Sequence, residues 1–414
     1  MKGRTVTKRY TWFLPLLLAA CSSAPRAAGS GDADAALRVR AILSETPLVD
    51  GHNDLPWAVR QYEAAPHDVV AYDLRRRTPG HTDIERLRAG RIGAQFWSVY
   101  IPHNAIEDGA AKTQLEQIDI AHRIIQRYPD VFELALTSTD ALRIFRGGRI
   151  ASMLGMEGGH AIENSLGALR SYYDLGVRYM TLTHSANIDW ADSCCALREH
   201  GGLTEFGREV VREMNRLGML VDLSHVSPES MHDALDVTEA PVIFSHSSAR
   251  AVTDHPRNVP DDVLERLRQN GGVVMITFVP SFINTDNMRW SRLPPGQRES
   301  TPAPRVTIDD VIRHIEHVRD VAGIDHVGIG GDFDGIDSTP VGLEDVSTYP
   351  ALFAALARRG WSDADLRRLA GENAMRVWRE AERVAQRLRQ QRPASTATIE
   401  QLDGTVGIRE PDRP

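Results

Sequence analysis

Along this chain, short apolar runs bounded by turn-forming residues alternate with longer stretches in which apolar positions return every three or four residues. The runs are Pro47 to Gly51, Ile92 to Tyr100, Ile150 to Met156, Val177 to Thr183, Met219 to Leu223, Val242 to Ser245, Val273 to Phe278 and His326 to Gly330. They lack the polar alternation of a half-exposed strand, so they predict strands covered on both faces, as in a parallel sheet. Between them, Leu166 to Leu175, Phe206 to Leu217, Asp261 to Gln269 and Ile308 to Ala322 carry helical periodicity. Strand and helix in alternation imply a parallel sheet with helices outside it. Eight such units predict an α/β fold, a single TIM-like (β/α)8 barrel with insertions after strands 2 and 7. The competing reading is an open Rossmann-like sheet, weakened because no glycine-rich phosphate loop follows the first strand. The insertions are Pro102 to Gly148 and Pro280 to Arg305, the second rich in Pro, Ser and Arg, and both are expected at the mouth of the barrel.

The beginning of the chain differs in kind. Lys2, Arg4, Lys8 and Arg9 precede an apolar run from Tyr10 to Ala20, shorter than the ~20 residues a membrane-spanning helix needs. The run ends Leu18-Ala19-Ala20-Cys21-Ser22, which resembles the lipobox of bacterial lipoproteins, where the Cys becomes the acylated first residue. Residues 1–20 therefore read as a lipoprotein signal peptide, with Cys21 as the lipidation site and residues 21–33 as the lipidated Cys and a flexible linker. Residues 34–388 read as the barrel domain, and the polar, aperiodic residues 389–414 as a disordered tail. The expected location is the cell envelope, anchored to the membrane by lipid and facing the periplasm or the cell surface. Ser22 is compatible with outer-membrane sorting. An ordinary cleaved signal with a chance Cys is the alternative.

Loss of the four basic residues moves the formal net charge from -8 to -12, which argues against a nucleic-acid partner. Cys194 and Cys195 are the other two cysteines. Being adjacent, they cannot staple distant segments, and either two partly buried thiols or a strained vicinal disulfide fits them.

In a barrel of this kind chemistry gathers at the carboxyl ends of the strands. Strand one ends Asp50-Gly51-His52-Asn53-Asp54, where residues two apart share a face, so His52 and Asp54 can point at one ion. Glu157 follows the third run, Asp222 lies at the end of the fifth and His225 just beyond it, His246 follows the sixth, and Asp332 and Asp334 the eighth. A single strand-end His or Asp is more often structural than functional. Together, imidazoles and carboxylates at five strand ends match zinc, and a shared carboxylate can hold two ions about 3.5 to 4 Å apart for hydrolysis. Three histidines disfavour an all-oxygen magnesium or calcium site.

The segments LVDGHNDLPW, GMEGGHAI, TLTHSANIDWADS, VDLSHVS, PVIFSHSSAR, RNVPDD and VGIGGDFDGI resemble, in that order, the membrane (renal) dipeptidase family of zinc metallopeptidases. The resemblance runs from about Pro47 to Trp378. It implies zinc-dependent hydrolysis of dipeptides by a hydroxide bridging two zinc ions. His52 and Asp54 would hold one ion, His225 and His246 the other, with Glu157 bridging them. Asp332 would move the proton, and His184, in TLTHS, would bind the scissile carbonyl and stabilise the oxyanion. Arg257, in RNVPDD, would pair with the C-terminal carboxylate of the dipeptide. The resemblance further implies tolerance of a C-terminal D-residue and, in some members, opening of β-lactam rings. Related enzymes are often dimers, so a homodimer is an open reading here.

Asp334, two residues beyond Asp332, is the competing proton-transfer carboxylate. Asp50 and Asp222 read as groups that orient histidines, and His160, His255 and His326 as surface or packing residues. Arg257 could instead brace a loop. Two other functions compete: a deacylase or lactonase on the same barrel, against which Arg257 and the dipeptidase-type segments count, and a non-catalytic binding lipoprotein, which would predict eroded ligands.

Overall fold

The computed structural model describes residues 1–3, 5 and 28–404. Cys21 and the apolar run before it lie outside the described residues. Each of the eight apolar runs forms a strand: β1 (Leu48–Asn53), β2 (Ile92–Ser98), β4 (Ile150–Glu157), β5 (Val177–Thr181), β6 (Leu220–Asp222), β7 (Ile243–Ser247), β8 (Val273–Ile276) and β9 (Val327–Ile329). Every residue in these strands is buried, because one face meets the barrel interior and the other the surrounding helices. That is the physical reason for their unbroken apolar character. All neighbours pair in parallel, and pairing of β2 with both β1 and β4 closes the eight-stranded barrel.

A ninth strand, β3 (Phe132–Leu134), lies inside the segment expected as an insertion at the mouth. It pairs with Ile150 to Ser152, the amino-terminal end of β4, whereas β5 joins β4 only from Leu154 onward. β3 thus covers an edge that β5 leaves free. Its position corrects the expectation for Pro102 to Gly148. Only the start of that segment lies at the mouth, and helix Ala110–Arg127 then carries the chain back to the opposite end. The second insertion forms three short helices, Pro280–Ile283, Thr285–Ser291 and Pro295–Ser300.

The amino-terminal end of the barrel is stoppered by helix Asn373–Gln391, whose Met375, Val377, Trp378 and Ala381 join Val49, Phe96, Met153 and Tyr179 in one buried cluster. Inside the barrel, Tyr179 leans across toward β1. A Cβ on Gly155 would lie 2.0 Å from its ring, so only glycine leaves room for that crossing.

Two boundaries differ from the sequence reading. Residues 28–33, expected as linker, form the start of helix Ala28–Glu45, which is held by its buried Ala35, Val39, Ile42 and Leu43. Of the expected disordered tail, residues 389–391 continue the stopper helix, and a further helix spans Ile399–Asp403. Polar contacts fix this segment. Arg170 Nη1 donates to Ser395 O at 2.9 Å, while Asp403 accepts from Thr204 Oγ1 at 2.6 Å and Phe206 N at 3.2 Å at the start of helix Glu205–Leu217. Side chains used for capping leave no apolar period to read. Residues 405–414 lie outside the described residues.

Candidate metal centre and substrate cavity

The carboxyl ends of five strands converge on Glu157. Its Oε1 lies 2.9 Å from His225 Nε2 and 3.2 Å from His246 Nε2, and its Oε2 lies 3.4 Å from His52 Nε2. Asp54 Oδ2 is 3.1 Å from His52 Nε2, and Asp332 Oδ1 is 4.0 Å from it. Asp54 stands at the N-cap of helix Leu55–Arg60 yet caps nothing, since Asn53 Oδ1 accepts from Leu55 N instead. Its carboxylate is thereby left for the centre. Backbone lacing from Asp332 N to His52 O (3.1 Å) and from Asp54 N to Phe333 O (2.9 Å) sets the two aspartates side by side. His225 and Asp332 hold left-handed φ angles of 70° and 64°, a conformation that persists only when neighbours enforce it.

These donors fit metal ions. The Nε2 atoms of His225 and His246 face each other at 2.8 Å, and His52 Nε2 is buried with no hydrogen-bond partner. His52, Asp54 and Asp332 form one group with ligand atoms within 4.8 Å of each other, His52, Glu157 and His246 a second, and Glu157, His184 and His225 a third. Imidazole with carboxylate is the donor set zinc takes.

The supports behind the histidines fix their tautomers. Tyr179 OH donates to Gly51 O at 3.2 Å, so it accepts from His52 Nδ1 at 2.8 Å and leaves Nε2 as a lone pair facing inward. Ser245 Oγ donates to Asp222 Oδ2 at 2.6 Å and accepts from His246 Nδ1 at 2.8 Å. Asp222, fully buried, also accepts from Thr181 Oγ1 and from the backbone of Ser224 and Ser245. It therefore orients His246 through Ser245. Asp50 accepts from the backbone of His52 and Gly331 and from Tyr349 OH at 2.6 Å, fastening β1 to the end of β9.

Burial holds His225 and His246 well below the ordinary imidazole range, reinforced by Arg257 at the first and by His52 at the second. Burial alone would raise Glu157, but the imidazoles of His52, His225 and His246 gathered around its carboxylate hold it well below the usual carboxylate range. Asp332 moves the other way. Burial pushes it up against the pull of His52, with Asp54 and Glu157 adding to the rise.

The centre opens into a cavity of about 430 Å³ whose lining includes Asp54, Glu157, Asp332, Arg257, Val279 and Phe282. His184 lies between Tyr100 and His225, its ring tilted to both with centroids 4.9 and 4.3 Å away, and its Nε2 is 3.8 Å from Glu157 Oε1. Arg257 is 3% exposed. It donates to His246 O at 3.1 Å and Ser247 Oγ at 3.4 Å, and among the described residues no carboxylate pairs with it. Asp334, the competing carboxylate, also lines the cavity but accepts from His81 N at 2.5 Å. Of the histidines read as packing groups, His160 is buried, while His255 and His326 are half-buried, His255 stacked on Phe282.

Sequence reasoning missed Tyr179, because a Tyr within an apolar strand reads as core. It also missed Trp57 and Tyr100, which line the cavity just beyond strand ends, a position that could have flagged them.

Residues 36–392 match the family described as Membrane dipeptidase (Peptidase family M19). The dipeptidase verJ of Clonostachys rogersoniana is 45% identical over 360 residues, covering 84% of this chain and 88% of that protein. A metallo peptidase from Rhodobacter sphaeroides, solved with a phosphinate mimic of the dipeptide L-Ala-D-Ala, is 28% identical with a TM-score of 0.69, covering 81% of this chain and 99% of that one. The probable dipeptidase PvdM from Pseudomonas aeruginosa shares the fold, with 22% identity, a TM-score of 0.75, and coverage of 85% and 100%.

Proposed function

The chain belongs to the membrane dipeptidase family, peptidase family M19, and from that premise we propose that it hydrolyses dipeptides at a two-zinc centre. His52 and Asp54 would hold one ion, His225 and His246 the other, and Glu157 would bridge them. Zinc in this pair supplies Lewis acidity and brings the pKa of water toward neutrality.

The observation that carries the substrate assignment is Arg257. A buried guanidinium without a carboxylate partner is costly unless an anion arrives to match it. Lining the same cavity as the centre, it can take the C-terminal carboxylate in bidentate geometry. That contact selects substrates ending one residue after the cleaved amide. Asp332, which lines the same cavity, would accept the proton of the attacking water and return it to the leaving amine. His184 can donate an N–H to the carbonyl oxygen as negative charge builds there. Recognition of the termini places little demand on side chains, which supports tolerance of a C-terminal D-residue; the Rhodobacter sphaeroides relative was solved with a mimic of L-Ala-D-Ala.

The anchoring reading is supported by the basic start, the apolar run and Cys21, and places the enzyme in the cell envelope. Among the described residues no helix is long and apolar enough to cross a membrane.

The test is metal analysis of the purified protein beside turnover of L,L and L,D dipeptides, tripeptides and N-acyl amino acids. Two zinc ions per chain with turnover of dipeptides alone is the expected result. Turnover confined to acyl amino acids or lactones would overturn the substrate assignment, and a metal content near one would overturn the paired centre.

A further inference from the structure

Cys194 and Cys195 take no part in the chemistry above. They lie in the loop between β5 and helix Glu205–Leu217, with their Sγ atoms 2.8 Å apart. Cys195 is exposed and Cys194 half-buried. The backbone that carries them is tied to the active site. Cys194 N donates to His225 O at 2.8 Å. Cys195 N donates to Ser193 Oγ at 3.2 Å, and that hydroxyl donates in turn to His184 O at 2.6 Å. Three consecutive residues thus hold the main chain of both His225 and His184.

We propose that Cys194 and Cys195 form a dithiol modification site that takes small disulfide oxidants, and that its closure to a vicinal disulfide turns hydrolysis down. Cys195, the more accessible thiol, attacks one sulfur of the oxidant and forms a mixed disulfide as the first thiol leaves. Cys194 then attacks the Cys195 sulfur and the second thiol leaves. Two thiol hydrogens and two electrons pass to the oxidant, and one S–S bond forms for the one broken.

The coupling to hydrolysis follows from chain geometry. Consecutive Cα atoms lie about 3.80 Å apart across a trans peptide, whereas disulfides span Cα separations of roughly 4.4 to 6.8 Å. No setting of the peptide reaches that span, since the cis form shortens it to about 2.9 Å, so joining neighbours strains the peptide between them. The N–H of that peptide is the one bonded to Ser193 Oγ, and its other flank is anchored through Cys194 N to His225 O. His225, at a left-handed φ of 70°, depends on such anchors to stay in place. Closing the ring loosens the support of one metal-type ligand and of the carbonyl-binding histidine together.

The experiment treats the zinc-loaded full chain with oxidised glutathione and follows peptide mass and dipeptide turnover, before and after reduction with dithiothreitol. Loss of two hydrogens mapped to Cys194 and Cys195, with a tenfold or greater fall in turnover that reduction restores, is the expected result. C195S and the double variant C194S/C195S should match the reduced enzyme and ignore the oxidant. A response in the double variant would trace the effect to Cys21 and a response in C195S to a lone thiol that closes no ring, and either would overturn the proposal. A stable glutathione adduct without ring closure would overturn it as well, as would a vicinal disulfide in a fully active enzyme. The wild-type oxidation and reduction cycle needs no variant to fold. The activity arm rests on the dipeptidase reading: absence of turnover in the reduced enzyme counts against that reading, while the mass measurement still tests the dithiol.

Discussion

Replacing Tyr179 by Phe removes one oxygen from the barrel interior and keeps the ring that fills the space above Gly155. The lost contacts are the 2.8 Å hydrogen bond from His52 Nδ1 and the 3.2 Å bond to Gly51 O. Tyr179 is fully buried, so no water replaces the phenol, and a buried imidazole N–H is left without an acceptor at a cost of about 1 to 3 kcal/mol. Part of that cost falls on metal binding, because His52 can then escape to the tautomer that protonates Nε2 and cannot ligate. A fall of about 10- to 100-fold in affinity for one of two metal ions is expected, the usual scale for losing a partner behind a ligand. The assay is competitive zinc titration of metal-free protein against a chromogenic chelator, with S245A as the matching variant behind His246. In Y179F the weakened ion should be the one near His52, and excess zinc should restore most of kcat. Unchanged affinity for both ions, or equal weakening of both, would refute the tautomer argument and reduce Tyr179 to packing.

Exchanging Arg257 for Met should lower kcat/KM for dipeptides by about 10²- to 10³-fold, the scale of a desolvated charge contact, while C-terminal dipeptide amides, which lack the carboxylate, lose little; steady-state kinetics on both series checks this. Asp332→Asn should cut kcat by about 10²- to 10⁴-fold without changing metal content, read by kinetics beside elemental analysis. Burial lowers His160 and His314 to about 4, so below the unfolded value of 6.5 the unfolded chain takes up protons that the folded one refuses. Stability is then lost as pH falls from about 6.5 toward about 4, by up to about 3 kcal/mol for each, and urea unfolding of the metal-free protein at pH 7 and pH 5 measures it. Asp403→Ala should cost about 1 kcal/mol by removing the acceptor for Thr204 Oγ1 and Phe206 N at the start of helix Glu205–Leu217, whose N-cap Thr204 stays in place, seen as a lower urea midpoint at unchanged kcat.

The barrel was legible because strands enclosed on both faces carry unbroken apolar runs, and turn residues separate them. β3 was not, since Phe132–Leu134 is three residues long and half-exposed, and nothing local distinguishes it from the loop around it. The strand-end histidines and carboxylates were legible from position alone. Asp332 and Asp334 were not separable by spacing, because alternate residues share a face. What divides them is a tertiary contact, the hydrogen bond from His81 N to Asp334. Tyr179 and Ser245 were hidden because their roles exist only across strands: one reaches from β5 to β1, the other links Asp222 on β6 to its neighbour His246. The segment around Ile399–Asp403 was taken for tail because its order comes from capping side chains.

The helix stoppering the amino-terminal end of the barrel governs traffic through the enzyme. With Trp378 and Met375 wedged beneath the interior, a molecule in the cavity has no rear exit. Both amino acids released by each cleavage must leave by the doorway through which the next dipeptide arrives. Accumulated product therefore queues against substrate at a single opening.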